Sequence, residues 1–153
     1  MKLKFPLIAA FVAILSLTAC GGGGGDSGAD VVNPNNPATL VKTDNALGTG
    51  AEATAGKHVA VSYILWLYSA SAADHKGTRL ENGSFSFDLG APGVIDGFQQ
   101  GVTGMKVGGK RTVEVPSNLA YGARGGNGIP PNNGLVFEIS LTCAGTSAQC
   151  KLP

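Results

Sequence analysis

At 153 residues, with 24 glycines, 14% charged residues and a formal net charge of +1, the chain has room for one domain of ordinary size and a tail. Two full catalytic domains will not fit. Loss of a leader containing Lys2 and Lys4 would bring the net charge to about −1, so no basic field exists to hold phosphates, and nucleic acid is excluded as a partner.

Lys2 and Lys4 precede an apolar stretch from Phe5 to Ala19 that is broken only by Pro6, Ser16 and Thr18, the pattern of a signal peptide over residues 1–19. A bilayer span needs about 20 apolar residues, so the stretch is short for a transmembrane helix. Leu17-Thr18-Ala19-Cys20 resembles the lipobox of bacterial lipoproteins; the alternative is an ordinary secretory leader with a stray cysteine. The lipobox resemblance implies cleavage before Cys20, lipidation of Cys20 and a membrane anchor through its acyl chains. Gly21 stands where inner-membrane lipoproteins commonly carry Asp. An outer-membrane lipoprotein facing the periplasm is therefore expected, or a cell-surface one if the source has a single membrane. Residues 20–39, rich in Gly, Asn and Pro with only Val31 and Val32 to bury, read as a disordered tether.

The foldable domain spans residues 40–145, followed by a tail over 146–153. Val59 to Tyr68 is β-branched and aromatic, with Val59, Val61, Tyr63, Leu65 and Leu67 on one face of a strand. Phe85 to Leu89, Arg111 to Val115 and Leu135 to Leu141 alternate as half-buried antiparallel strands. Val94, Ile95, Phe98, Val102 and Met105 recur instead at spacings of three and four, which predicts a short helix with one apolar stripe. The fold class is α+β: a curved antiparallel sheet wrapped around that one short helix.

Gly104 to Lys110 matches the glycine and lysine positions of a phosphate-binding loop, but Arg111 stands where Ser or Thr would hold magnesium, and a strand follows instead of a helix. Nucleotide binding is excluded on that ground. Cys143 and Cys150 remain at the C-terminal end, where export would permit a disulfide pinning the tail to the last strand. His58 and His75 are the only histidines and read as surface residues, so no metal site is expected.

Five ordered segments carry a resemblance: Val94 to Gly101, Gly104 to Arg111, Val115 to Gly122 with its Ala120-Tyr121-Gly122, Gly128-Ile129-Pro130-Pro131, and Leu135 to Glu138. Together with the Val59–Tyr63 strand they resemble successive signatures of FKBP-type peptidyl-prolyl cis/trans isomerases over about residues 40–145. The resemblance implies a prolyl pocket between sheet and helix. By motif position its catalytic residues would be Tyr63, Glu81, Ile95, Phe98, Tyr121 and Phe137, with Leu80, Phe85, Val94 and Ile129 binding substrate. The Ile95 N–H and the Tyr121 hydroxyl would hold carbonyls of the bound peptide. Proline-containing polypeptides are the implied partners, with macrolide-type inhibitors as further candidate ligands and a monomer expected.

The chemistry asks for no cofactor. Rotation about an X-Pro bond meets a barrier of roughly 18–20 kcal/mol because amide resonance must break. A dry aromatic pocket that binds the twisted, less polar amide better than the planar one lowers that barrier by differential binding. Two departures from the family pattern matter. Leu80 and Glu81 stand where members commonly carry Phe and Asp, and the longer carboxylate is expected to miss hydrogen bonds; Ser69 to Lys76 reads as an insertion. These motivate an alternative, a prolyl-peptide-binding chaperone with weak or no catalysis.

Overall fold

The computed structural model describes residues 33–152. The signal peptide, the lipidation site Cys20 and the tether up to Val32 lie outside the described residues. Five strands form: β1 (Val41–Ala46), β2 (His58–Tyr68), β3 (Lys76–Asp88), β4 (Lys110–Val115) and β5 (Leu135–Gly145). One α-helix, α1 (Asp96–Val102), and a 3-10 turn at Ser117–Leu119 complete the elements. The strands make one antiparallel sheet in the order β1-β4-β5-β2-β3.

The apolar alternation sets the buried face. Val59, Val61 and Leu65 of β2, Val113 and Val115 of β4, and Leu135, Phe137, Ile139 and Leu141 of β5 join Phe98 and Val102 of α1 in one core. Full burial of each such side chain contributes about 1.5–3 kcal/mol. Val136 points the other way yet is also buried, between Trp66 and Glu114 in the register of the neighbouring strands.

Helix and sheet approach closely because α1 offers glycine at the contact. A Cβ at Gly97 would stand 2.1 Å from Val115 Cγ1, and one at Gly101 would stand 2.8 Å from Val113 Cγ2. Arg111 of β4 locks the arrangement: its guanidinium donates to Asp44 on β1 and to the Gly101 and Thr103 carbonyls at the end of α1. The helix is shorter than the apolar spacing predicts, since Gly104 takes φ +80° and turns the chain toward β4.

Three further features differ from expectation. β1 carries no apolar alternation and is exposed throughout; pairing with β4, reinforced by Asn45 Oδ1 accepting from the Thr112 N–H at 3.0 Å, makes it a strand. β3 begins at Lys76, well ahead of the Phe85 to Leu89 alternation, so the segment Gly77 to Asn82 is also strand. The insertion before it is a compact turn closed by Ser69 N–H donating to the His75 carbonyl at 2.9 Å. Residues 33–39, assigned by composition to a disordered tether, are instead packed on the domain: Asn35 and Asn36 side chains accept from the Ala70 and Ser117 N–H groups, and Pro37 is buried.

The two histidines are half-buried and paired, not plain surface residues. His58 Nδ1 lies 2.7 Å from Asp88 and His75 Nδ1 lies 2.9 Å from Glu114. Cys143 and Cys150 are joined by a disulfide with 5.4 Å between their Cα atoms, which fastens the tail to β5. Among the described residues no cluster of potential metal ligands occurs.

Candidate active site

A hollow of about 180 Å³ opens between α1 and the buried face of the sheet, lined by Tyr63, Leu65, Glu81, Phe85, Gly93, Val94, Ile95, Phe98, Tyr121 and Phe137. Each element contributes by its own periodicity. β2 sends Tyr63 and Leu65 inward two residues apart, β3 supplies Glu81 and Phe85, β5 supplies Phe137, and the first turn of α1 with the chain before it supplies Val94, Ile95 and Phe98.

Phe98 is the floor. Only 2% exposed, it meets Phe137 edge-on at 5.0 Å, Phe85 at 5.5 Å and Tyr63 edge-on at 5.9 Å between ring centroids. Tyr63 in turn stands perpendicular to Phe85 at 5.5 Å. Edge-to-face rings at such spacings add about 0.5–1.5 kcal/mol per pair beyond burial, which fixes the walls before any ligand arrives. Phe87 stacks behind Phe85 at 5.2 Å and supports it from outside the hollow.

Two polar groups are built into the walls. The Tyr63 hydroxyl donates to Glu81 Oε1 at 2.7 Å, so the longer carboxylate does reach a hydrogen bond, contrary to expectation. Burial, followed by that hydrogen bond and the nearby charge of Glu81, pushes the Tyr63 phenol up to about 12. Tyr63 therefore keeps its proton and its donor role across the neutral range.

The rim is held by Gln99. Its side chain donates to the Ala91 and Val94 carbonyls at 2.9 and 3.0 Å and accepts from the Gly90 N–H at 2.8 Å, shaping the turn that delivers Val94 and Ile95. Ile95 is the N-cap of α1, and its carbonyl accepts from Phe98 and Gln99. The Ile95 N–H and the Tyr121 hydroxyl are engaged by no other group among the described residues. Tyr121, 36% exposed, sits at the mouth.

Eight of the ten residues selected from sequence thus share one hollow; Leu80 and Ile129 do not line it. Leu80 is the unpaired residue of a β-bulge, because Leu65 pairs with Glu81 and Trp66 with Arg79, and it packs against the core instead. Ile129 is drawn into the core by a two-way backbone bridge with Gly126. Leu65 and Gly93 were missed. Leu65 follows from the strand alternation; Gly93 offers a backbone surface, for which a glycine in a loop gives little signal.

A larger depression of about 560 Å³ lies beside Ser62, Asn82, Ser84, Lys110 and Glu138. Polar side chains of that kind do not replace water around an apolar ring, so the smaller aromatic hollow is the candidate site. The glycine-rich segment from Gly104 turns into β4 without opening a helix, as expected for a chance match to a phosphate loop.

Comparison with known proteins bears on the family and the fold. Residues 50–142 match the family described as FKBP-type peptidyl-prolyl cis-trans isomerase. A FK506-binding protein of Neisseria meningitidis serogroup A is 40% identical over 104 residues, covering 67% of this chain and 94% of that protein. FK506-binding protein 4 of Neurospora crassa is 42% identical over 98 residues, and there the chain spans only 20% of the relative's length. Among solved structures, FkpA from Escherichia coli superposes with a TM-score of 0.59 at 34% identity, over 71% of this chain and 49% of that one. A peptidyl-prolyl cis-trans isomerase from Pseudomonas syringae gives a TM-score of 0.59 at 29% identity, over 77% of this chain and 84% of that one.

Proposed function

Because this chain belongs to the FKBP-type peptidyl-prolyl cis-trans isomerase family, we propose that it is a peptidyl-prolyl isomerase, turning X-Pro bonds of exported proteins in the aromatic hollow while anchored to a membrane through Cys20. The proline ring enters over Phe98, between Tyr63, Phe85, Val94 and Phe137. The Ile95 N–H and the Tyr121 hydroxyl donate to carbonyls of the bound peptide, while Glu81 holds Tyr63 in orientation. FK506-type macrolides would occupy the same hollow. The protein acts as a monomer.

Catalysis in this reading is differential binding. Twisting the amide removes its resonance and with it much of the polarity that water stabilises. A water-poor aromatic wall disfavours the planar amide relative to the twisted one, and a donor at the rim takes the carbonyl as it leaves the plane. A gain of about 6 kcal/mol in the transition state would accelerate rotation by roughly four powers of ten.

The observation that carries the site assignment is that Tyr63, Phe85, Phe98 and Phe137 meet around one hollow with two unengaged donors at its mouth. A protease-coupled assay on a proline peptide tests it, with Tyr121→Phe and Glu81→Ala beside the parent. Slower turnover in both is expected; parental rates in both would sink the assignment.

The lipid anchor is supported by the lipobox-like Leu17 to Cys20 behind an apolar leader. On the reading from Gly21, it holds the protein to the outer membrane, facing the periplasm. Labelling with a fatty-acid analogue, followed by fractionation, is expected to place the label in the membrane fraction for the parent and to abolish it for Cys20→Ser. Equal labelling of both would remove the anchor from the proposal.

A further inference from the structure

Pro116 to Gly134 carries Tyr121 and Ile129, and its only regular element is the 3-10 turn at Ser117–Leu119. Loops this long keep one conformation only when pinned. Within the loop, the Ser117 carbonyl accepts from Ala120 N–H at 2.9 Å and Gly122 N–H at 2.8 Å, the two amides flanking Tyr121. Asn132 N–H then donates to the Gly122 carbonyl at 2.9 Å and ties the two arms together.

Both feet of the loop are held from outside by one segment. Asn36 Oδ1 accepts from the Ser117 N–H at 2.8 Å, and the Asn35 carbonyl accepts from the Gly134 N–H at 2.8 Å. Asn33 Nδ2 reaches the Pro131 carbonyl and Asn133 Oδ1, each at 3.4 Å. Pro37 seats on Gly134 so closely that a Cβ there would stand 2.3 Å from Pro37 Cδ. The segment is itself braced: within it Asn35 N–H donates to Asn33 Oδ1 at 2.9 Å, and beyond it Asn35 Oδ1 accepts from the Ala70 N–H at 3.1 Å. Ser117 is buried, so without Asn36 its N–H would lack a partner away from water.

We propose that Asn33 to Pro37 is a positioning clamp for the Tyr121 loop, with Asn36 as its principal residue. The clamp lies N-terminal to residues 50–142, the stretch that matches the family. Asn36 fixes Ser117, Ser117 fixes the amides on either side of Tyr121, and the hydroxyl at the mouth of the hollow is thereby held in place. Its bearing on turnover rests on the role given to Tyr121 above.

The test uses the full chain with Asn36→Ala and Asn36→Asp, the latter keeping a side-chain oxygen to accept from Ser117. Amide hydrogen exchange at Ala120 and Gly122 should quicken about tenfold in Asn36→Ala, while Leu141 in the core strand is unchanged. Asn36→Asp should exchange like the parent. Isomerase kcat/KM should fall about three- to tenfold in Asn36→Ala, recover in Asn36→Asp, and change less than about twofold when Asn36→Ala is added to Tyr121→Phe. Unchanged exchange at Ala120 and Gly122 would overturn the clamp, and additive losses in the double variant would overturn its action through Tyr121. Parental kcat/KM in Tyr121→Phe would instead remove the link to turnover, with the exchange rates still judging the clamp by themselves.

Discussion

Tyr63 donates to Glu81 at 2.7 Å although the two are diagonal, not opposite: β2 pairs Tyr63 with Gly83 and Leu65 with Glu81. Gly83 presents no side chain opposite the ring, which runs past it within 3.5 Å of where a Cβ would stand, and the extra methylene of Glu81 covers the diagonal. Glu81→Ala should lower kcat/KM by roughly fivefold, the worth of about 1 kcal/mol of orientation. Glu81→Gln keeps an acceptor and removes the charge, so it should be milder. The protease-coupled assay distinguishes them, and equal loss in both variants would assign the effect to charge instead of orientation.

Tyrosine absorbance gives an independent reading of the same pair. Folded Tyr63 holds its proton up to about 12, against an ordinary value of 10.0. The stability linked to this shift is whole below about pH 10 and is lost as pH climbs through the folded value. Isomerase activity should therefore be flat with respect to Tyr63 from about pH 6 to 9. In Glu81→Gln the Tyr63 transition should move down, though burial keeps it above an exposed tyrosine. No movement would show that burial alone sets it.

Leu80→Phe, at the position where the family carries an aromatic residue, should change kcat/KM by less than about twofold. Leu80 is the bulge residue of β3 and turns into the core, so a larger ring there meets close packing and not substrate. Its measurable effect should be on the denaturation midpoint, lower by the equivalent of roughly 1 kcal/mol or more. A gain in turnover of tenfold would place residue 80 at the hollow after all.

What the sequence made legible was whatever burial writes as a period. The inward residues of β2 and β5, the floor Phe98 and the hollow's rings all stand on such patterns, and the ordered motifs supplied Tyr121 and Ile95. β1 was invisible because an exposed strand has no apolar period; Arg111 and Asp44 hold it, a long-range ion pair that no window of sequence displays. Leu80 was misplaced for a related reason. A bulge changes which face a residue takes without changing composition. The asparagines at 33, 35 and 36 looked like tether for the same want of pattern, since a side chain that caps a distant backbone amide is indistinguishable in sequence from one that faces water.

Arg111 ties β1 to the end of α1. It is largely buried, bonds both Asp44 oxygens at 2.6 and 3.2 Å, and donates to the Gly101 and Thr103 carbonyls. Arg111→Ala would leave those carbonyls short of a donor and release β1 and the end of α1 together, at a cost of roughly 2–3 kcal/mol. Asp44→Asn should cost less, because Asp44 is 40% exposed and water replaces part of what it loses. The hydrogen bond from Arg111, chiefly, holds the Asp44 carboxyl below its ordinary value of 3.8 despite partial burial. Its contribution is therefore present above that value and lost as pH falls through the lower folded one. Urea denaturation should show the stability gap between parent and Asp44→Asn at pH 7 narrowing as pH drops below about 4. A gap that stays constant would mean that the Asp44 charge contributes nothing and that Arg111 is held by the helix carbonyls alone.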